Sequence, residues 1–247
     1  MKYLLYLLVL YYCYSPLILA DKNELIIATY IEPPFADLVD NKLIGEHIEI
    51  AKLLALSVDL KPVFIQCPFA RCLSMVKNGQ ADMIVGVRKI PEREKELTFL
   101  DPPYTIQRYP LRFFTLSSNE IMINSFDDLK KLTVGTLRGG SYFELFDDSN
   151  SFTKIEVTSR EQLVNMLLRG RIDTFVEREE SILPLLPLEE YQAKFSLANY
   201  QYDKAVNSYI AISKHSNIKI YTERLSQQLQ NLVTNGTIKN IRMNSYN

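Results

Sequence analysis

Ala81-Asp-Met-Ile-Val-Gly-Val-Arg-Lys-Ile-Pro-Glu-Arg-Glu-Lys-Glu-Leu-Thr-Phe-Leu-Asp-Pro-Pro-Tyr104 is the stretch on which the reading of the chain turns. Asp82 ends a turn, Met83 to Val87 is a short apolar run that predicts a buried strand, and the composition then changes to charge around Pro91. In open α/β sheets, ligands bind beyond the carboxyl ends of the strands. Arg88 and Arg93 would therefore stand where a small anion can be gripped; the competing reading is a pair of solvated loop charges.

Upstream, Glu24 to Tyr30 predicts a first strand, stopped by Glu32-Pro-Pro-Phe35. Gly45 to Leu56 carries Ile48, Ala51, Leu54 and Ala55 at helical spacing, and Leu60 to Ile65 predicts a second strand, which makes a βαβ beginning. Pro68 suits the start of the next helix, and Asn78-Gly79 stops it. Downstream the pattern starts again. Ser125 caps a helical turn, Leu132 to Thr136 is a strand, Arg138-Gly-Gly-Ser141 is a glycine turn opening a helix, and Ser159 with Gln162 forms a capping box. Asn78-Gly-Gln-Ala-Asp82-Met-Ile-Val85 is echoed by Arg169-Gly-Arg-Ile-Asp173-Thr-Phe-Val176, an internal repeat that implies two similar α/β lobes. Asp82 and Asp173, each just after a glycine turn, are read as structural caps. Tyr209 to Ser213 is a last strand, and Ser216 caps a terminal helix with Ile218, Tyr221, Leu225, Leu229 and Leu232 on one side.

The composition of the 247 residues, 47% hydrophobic and 23% charged, suits a globular chain with a sizeable core, and the net charge of −1 offers no footprint for nucleic acid or an anionic membrane. Lys2 precedes an apolar run from Tyr3 to Tyr14, and Ser15 to Ala20 leads into the polar Asp21-Lys-Asn-Glu24. This is a signal-peptide pattern over residues 1–20 with cleavage after Ala20; an uncleaved anchor is the alternative, for which the run is short. Cys13 lies inside that leader without the small residue a lipoprotein signal needs. The export reading leaves Cys67 and Cys72, with four residues between them, which predicts a disulfide in an oxidising compartment rather than a metal or redox site.

Gly86-Val-Arg-Lys-Ile-Pro-Glu-Arg93 followed by Phe99-Leu-Asp-Pro-Pro-Tyr104 resembles the signature of the extracellular solute-binding proteins of family 3, the polar amino-acid receptors of ABC importers. The resemblance implies a type II periplasmic binding protein fold with two doubly wound lobes joined by a two-strand hinge. Residues 21–107 would form the first lobe, 108–206 the second, and 207–247 would return to the first, with crossings near Thr105 to Arg108 and Ala205 to Ser208. It further implies that Arg93 holds a ligand carboxylate, that Gly86 lies where the backbone approaches the ligand, and that Ser141 offers a hydroxyl in the second lobe. Ser141 as a simple N-cap is the competing reading.

The departures from the family pattern are Arg88, where a hydroxyl residue is usual, Arg178, where an aspartate usually pairs with the ligand's ammonium, and Glu32, where an aromatic usually stacks. Glu177 could stand in for the missing carboxylate, Tyr30 lies beside Glu32, and Arg71 and Tyr104 are further candidates for the cleft, against an exposed helix arginine and a hinge-packing tyrosine. The function this implies is a monomeric periplasmic receptor, without cofactor, metal or nucleic-acid partner, that closes on a small amino acid or related carboxylate and delivers it to an ABC permease. Two alternatives stay open: a dehydratase of aromatic amino-acid biosynthesis on the same fold, with Glu32 and Glu177 as the only visible acid–base pair, and a sensor subunit for a membrane receptor.

Overall fold

The computed structural model describes residues 23–245; the leader read over residues 1–20, with Cys13 and the cut after Ala20, lies outside the described residues. The chain opens with β1 (Glu24–Thr29), a small hairpin of β2 (Asp37–Val39) and β3 (Lys42–Ile44), then α1 (Glu46–Ser57) and β4 (Lys61–Gln66). The hairpin turns on Asp40 and Asn41, whose φ angles of 48° and 59° are ones these two residue types tolerate. α2 (Phe69–Lys77), β5 (Met83–Val87), the short α3 (Pro91–Glu94) and the long β6 (Leu97–Gln107) follow.

The chain then builds β7 (Leu111–Leu116), a 3-10 turn over Phe126–Lys131, β8 (Thr133–Leu137), α4 (Glu144–Asp147), β9 (Thr153–Val157), α5 (Arg160–Leu168) and β10 (Thr174–Arg178). Two short 3-10 turns precede α6 (Leu188–Lys194) and β11 (Phe195–Tyr202); β12 (Val206–Ser213), a 3-10 turn over Asn217–Tyr221, α7 (Thr222–Thr234) and α8 (Thr237–Ser245) end the described chain.

Two five-stranded sheets result, in the orders β4-β1-β5-β12-β6 and β11-β7-β10-β8-β9. In the first, β4, β1 and β5 are parallel and β12 is antiparallel to both β5 and β6. In the second, β9, β8 and β10 are parallel and β7 is antiparallel to both β10 and β11. The two sheets repeat one plan, and this is the two-lobe α/β architecture expected of the type II binding proteins. The chain leaves the first sheet between Gln107 and Leu111 and returns between Tyr202 and Val206. Residues 105–107 still pair with 206–208 inside the first sheet, so the first crossing falls a little later in the chain, and the second a little earlier, than the sequence suggested.

The repeated phrase has a common mechanical role. The Asp82 amide donates to the Ile26 carbonyl at 2.8 Å while its Oδ2 accepts from the Ile26 amide at 2.7 Å. Asp173 does the same with Thr133, at 2.9 Å and 2.7 Å. Each aspartate thus buckles the start of a central strand to its neighbour, where an unpaired buried amide would otherwise cost about 1–3 kcal/mol. In the first lobe Ser216 adds a hydrogen bond to Asp82 Oδ1 at 2.6 Å and also caps the turn that follows by accepting from the Ile218 amide.

Ser216 caps a 3-10 turn that leads into the amphipathic helix α7, and α8 follows as a second helix. Asn235-Gly236 separates the two, with Gly236 at φ 79°, and Leu225, Leu229, Leu232 and Ile238 reach the first lobe's core beside Leu25, Ile50, Leu54 and Ile210. Arg242 on α8 reaches Glu46 at the start of α1 with two bonds of 2.7 Å. Cys67 and Cys72 are joined across the N-terminus of α2, their Cα atoms 5.4 Å apart.

Candidate functional site

Four strands end at one place. β1 delivers Tyr30 and, after one residue, Glu32; β5 delivers Arg88; β8 runs into the turn Arg138-Gly139-Gly140-Ser141; β10 delivers Glu177 and Arg178. All four belong to the parallel parts of the sheets, so their carboxyl ends face a common cleft between the lobes. The cavity there holds about 70 Å³ and is lined by Tyr30, Glu32, Gly86, Arg88, Arg93, Ser141, Glu177 and Arg178, eight of the ten site residues expected from sequence.

Arg93 is buried, at 3% exposure, although its helix α3 is a surface turn. One guanidinium nitrogen donates to the Arg88 carbonyl at 3.0 Å and the other to the Gly139 carbonyl of the opposite lobe at 3.0 Å, while the group lies 5.6 Å from the Phe69 ring centre. Burial pushes its pKa down to about 10, which still leaves it charged at neutral pH. Arg88 donates to the Tyr142 carbonyl, a second cross-lobe contact, and burial lowers its pKa as well. Arg178 Nε donates to the Tyr109 carbonyl at 3.2 Å, tying the cavity floor to the first crossing. Burial is again the chief cause of its lowered pKa.

The residue that the sequence did not reveal is Arg160, the first residue of α5. Its Nη2 is 2.7 Å from Glu32 Oε1 of the first lobe, and its Nε is 3.3 Å from Glu177 Oε2 of the second. The three side chains are 11%, 10% and 5% exposed, so this is a buried ion triad. The Nε contact is an ion pair without hydrogen-bond geometry, and Nε is a buried donor with no hydrogen-bond partner among the described residues. Burial works against the Arg160 charge, but Glu177 and then Glu32 outweigh it and hold the guanidinium above its ordinary pKa. Burial raises the Glu177 carboxyl, with Arg160 opposing.

Arg71 and Tyr104 do not line the central cavity, the alternative that the sequence left open for each. Arg71 is exposed on α2 and lines neither of the two cleft cavities, whereas Phe69 of the same helix borders both. Tyr104 is 4% exposed and lies behind the cleft wall, bonded to His47 Nε2 at 2.8 Å and to Ser208 Oγ at 3.2 Å. Ser141 is not an N-cap: Phe143 occupies that position of α4, and Ser141 donates to Asp147 Oδ2 at 3.1 Å. Gly86 lines the cavity, yet what its missing Cβ makes room for is protein. A Cβ there would stand 2.4 Å from His47 Cε1 and 2.5 Å from the Tyr30 hydroxyl, which donates to the Gly86 carbonyl at 2.7 Å.

Comparison with known proteins fits this geometry. The family model described as bacterial extracellular solute-binding proteins, family 3, matches residues 25–245. The chain belongs to that family. This solute-binding protein is 21% identical over 231 residues to the probable amino-acid-binding protein YxeM of Bacillus subtilis, covering 92% of this chain and 85% of the relative. It is 23% identical to the arginine-binding extracellular protein ArtP of the same organism, covering 90% and 86%. Among solved structures, the amino acid ABC transporter substrate-binding protein AbpA of Streptococcus pneumoniae, bound to L-arginine, superposes with a TM-score of 0.75 at 22% identity, covering 91% of this chain and 95% of that one. An ancestral arginine-binding protein bound to arginine gives 0.75 at 22% identity, with 91% and 99% covered. These likenesses establish the fold of the solute-binding protein.

Beyond the central cavity lies a second chamber of about 370 Å³, lined by Gln66, Cys67, Pro68, Thr158, Ser159 and Glu161. Tyr30, Phe69, Leu137 and Arg160 border both chambers, so the Arg160 triad stands between them.

Proposed function

We propose that this solute-binding protein is a monomeric periplasmic receptor whose two lobes, residues 21–107 with 207–247 and residues 108–206, close on a small carboxylate-bearing solute and present it to an ABC permease. The observation that carries the reading is the set of guanidiniums at the strand ends. Arg88, Arg93 and Arg178 line one inter-lobe cavity, and none of them has an ion-pair partner among the described residues. A guanidinium offers paired donors that match the oxygens of a carboxylate, and a buried cation without a counter-ion favours an anion strongly. The amino-acid ligands named for the relatives are of that general size and carry that group.

Catalysis is not part of the proposal. The two carboxylates lining the cavity, Glu32 and Glu177, are both engaged by Arg160, which supports an electrostatic and not an acid–base role. A thermal-shift screen of the exported chain against amino acids, dicarboxylates and polyamines tests the reading. A ligand at a hundred times its dissociation constant stabilises by about 2.7 kcal/mol. Small-angle scattering of the best hit is expected to show a smaller radius of gyration when bound. An unchanged radius at saturation refutes hinge closure, and a chain that no small carboxylate stabilises refutes the receptor assignment. Co-purification with a permease, as opposed to a membrane kinase, separates transport from sensing.

A further inference from the structure

Glu32 and Glu177 come from opposite lobes, and they converge on one buried side chain, Arg160. Without a cation between them, two carboxylates sharing a buried site cannot both stay ionised. The protein supplies that cation itself. Every acidic group lining the central cavity is thereby spent, while the remaining charged groups lining it, Arg88, Arg93 and Arg178, are all donors. Arg160 Nε is buried against Glu177 Oε2 at 3.3 Å, as an ion pair without hydrogen-bond geometry.

We propose that Arg160 sets the charge class of the ligand. Resting on the receptor reading above, the inference is that its guanidinium fills from within the place an ammonium group would take. The cleft accordingly selects a small carboxylate that carries no amine, such as a short di- or oxo-carboxylate, over an α-amino acid. A zwitterion would have to bring its ammonium into a cavity whose two carboxylates are occupied, and a cationic solute would have to expel Arg160 from both of them. An amine-free anion needs neither. The same side chain bridges the lobes through Glu32, so it acts on closure as well as on selection.

The test uses matched probes that differ by one ammonium, succinate against L-aspartate and glutarate against L-glutamate, with L-arginine as the cationic probe. Binding is measured by calorimetry on the full exported chain and on Arg160→Ala, Arg160→Gln and Arg160→Lys. The wild type is expected to prefer the amine-free member of a pair by about tenfold or more, Arg160→Lys to keep that preference, and Arg160→Ala and Arg160→Gln to reverse it as Glu32 and Glu177 become available to the ligand's ammonium. Wild-type preference for the amino acid or for L-arginine overturns the inference and leaves the receptor reading standing. So does a preference that Arg160→Gln does not change. Failure of every probe to bind the wild type overturns the receptor reading itself. The wild-type comparison decides the inference even where a variant fails to fold.

Discussion

Replacing Gly86 by alanine separates a ligand-approach role from a packing role. Gly86 sits in the central strand β5 at φ 87°, in the half of the conformational map that side chains with a Cβ disfavour by about 1–2 kcal/mol. The new methyl group would start 2.4 Å from His47 Cε1 and 2.5 Å from the Tyr30 hydroxyl. Neither ring is the free end of a flexible chain. His47 is wedged between Phe35, stacked on it at 5.6 Å, and Tyr104, edge-on at 5.7 Å, while Tyr30 packs against Phe69 at 4.8 Å. Overpacking a site of this kind costs about 1–3 kcal/mol. Displacing Tyr30 also breaks its 2.7 Å bond to the Gly86 carbonyl, worth about 1 kcal/mol. Together these give roughly 3–6 kcal/mol, which at about 2–4 °C per kcal/mol for a chain of this size lowers the melting temperature by on the order of 10 °C. Thermal unfolding followed by circular dichroism, without ligand, is the assay. A ligand-free Gly86→Ala protein that melts within about 2 °C of wild type refutes the packing argument, and a selective loss of ligand affinity at unchanged stability would return Gly86 to the ligand-approach role.

His47 is buried and its pKa is lowered, chiefly by that burial; the neutral form fits the fold, so the stability it contributes is fully present above about pH 6.5 and is lost as the pH falls through the lowered value. His47→Gln is expected to flatten the acid limb of a stability–pH curve below about pH 6.5, and an unchanged limb would contradict this. Glu180 behaves in the opposite sense: burial raises its pKa to about 7, so stability falls as the pH climbs from its ordinary value towards 7, and Glu180→Gln should remove that decline in urea titrations. Arg242→Ala leaves the buried Glu46 carboxylate without its bidentate partner and is expected to cost about 3 kcal/mol, read as a drop in the urea midpoint; a cost below about 1 kcal/mol would show that α8 is not pinned by this pair. Cys67→Ser/Cys72→Ser opens a short loop and should cost about 2 kcal/mol on the chain-entropy argument, with free-thiol titration of the wild type expected to find no reactive pair.

The lobes were legible because their signals are local. Met83 to Val87 reads as a buried strand by composition, and the Gly-x-x-Asp phrases repeat because the same amide-to-carboxylate buckle recurs at Ile26 and Thr133. Arg93 was legible as a motif residue. Arg160 was not, since it looks like any exposed charge in the first turn of a helix behind a serine cap. Its burial is created by Glu32, 128 residues away on the other lobe, and no spacing rule spans that distance. The alternatives left open for Tyr104 and Ser141 could not be decided from sequence for a related reason. The sequence placed both near the cleft, but side-chain direction depends on partners, His47 and Ser208 for one and Asp147 for the other, that lie elsewhere in the chain or beyond the turn.

The bond between Arg178 and the Tyr109 carbonyl joins the cavity floor to the strand crossing, so on the proposed receptor reading a charge arriving beside Arg178 would pull directly on the joint between the lobes. The Tyr109 side chain itself stands 65% exposed, and the protein contains no tryptophan. An indole installed by Tyr109→Trp would be the sole emitter of its kind, mounted on the joint between the lobes. Its emission would follow occupancy of the cleft without any label, and would turn the receptor into its own optical gauge.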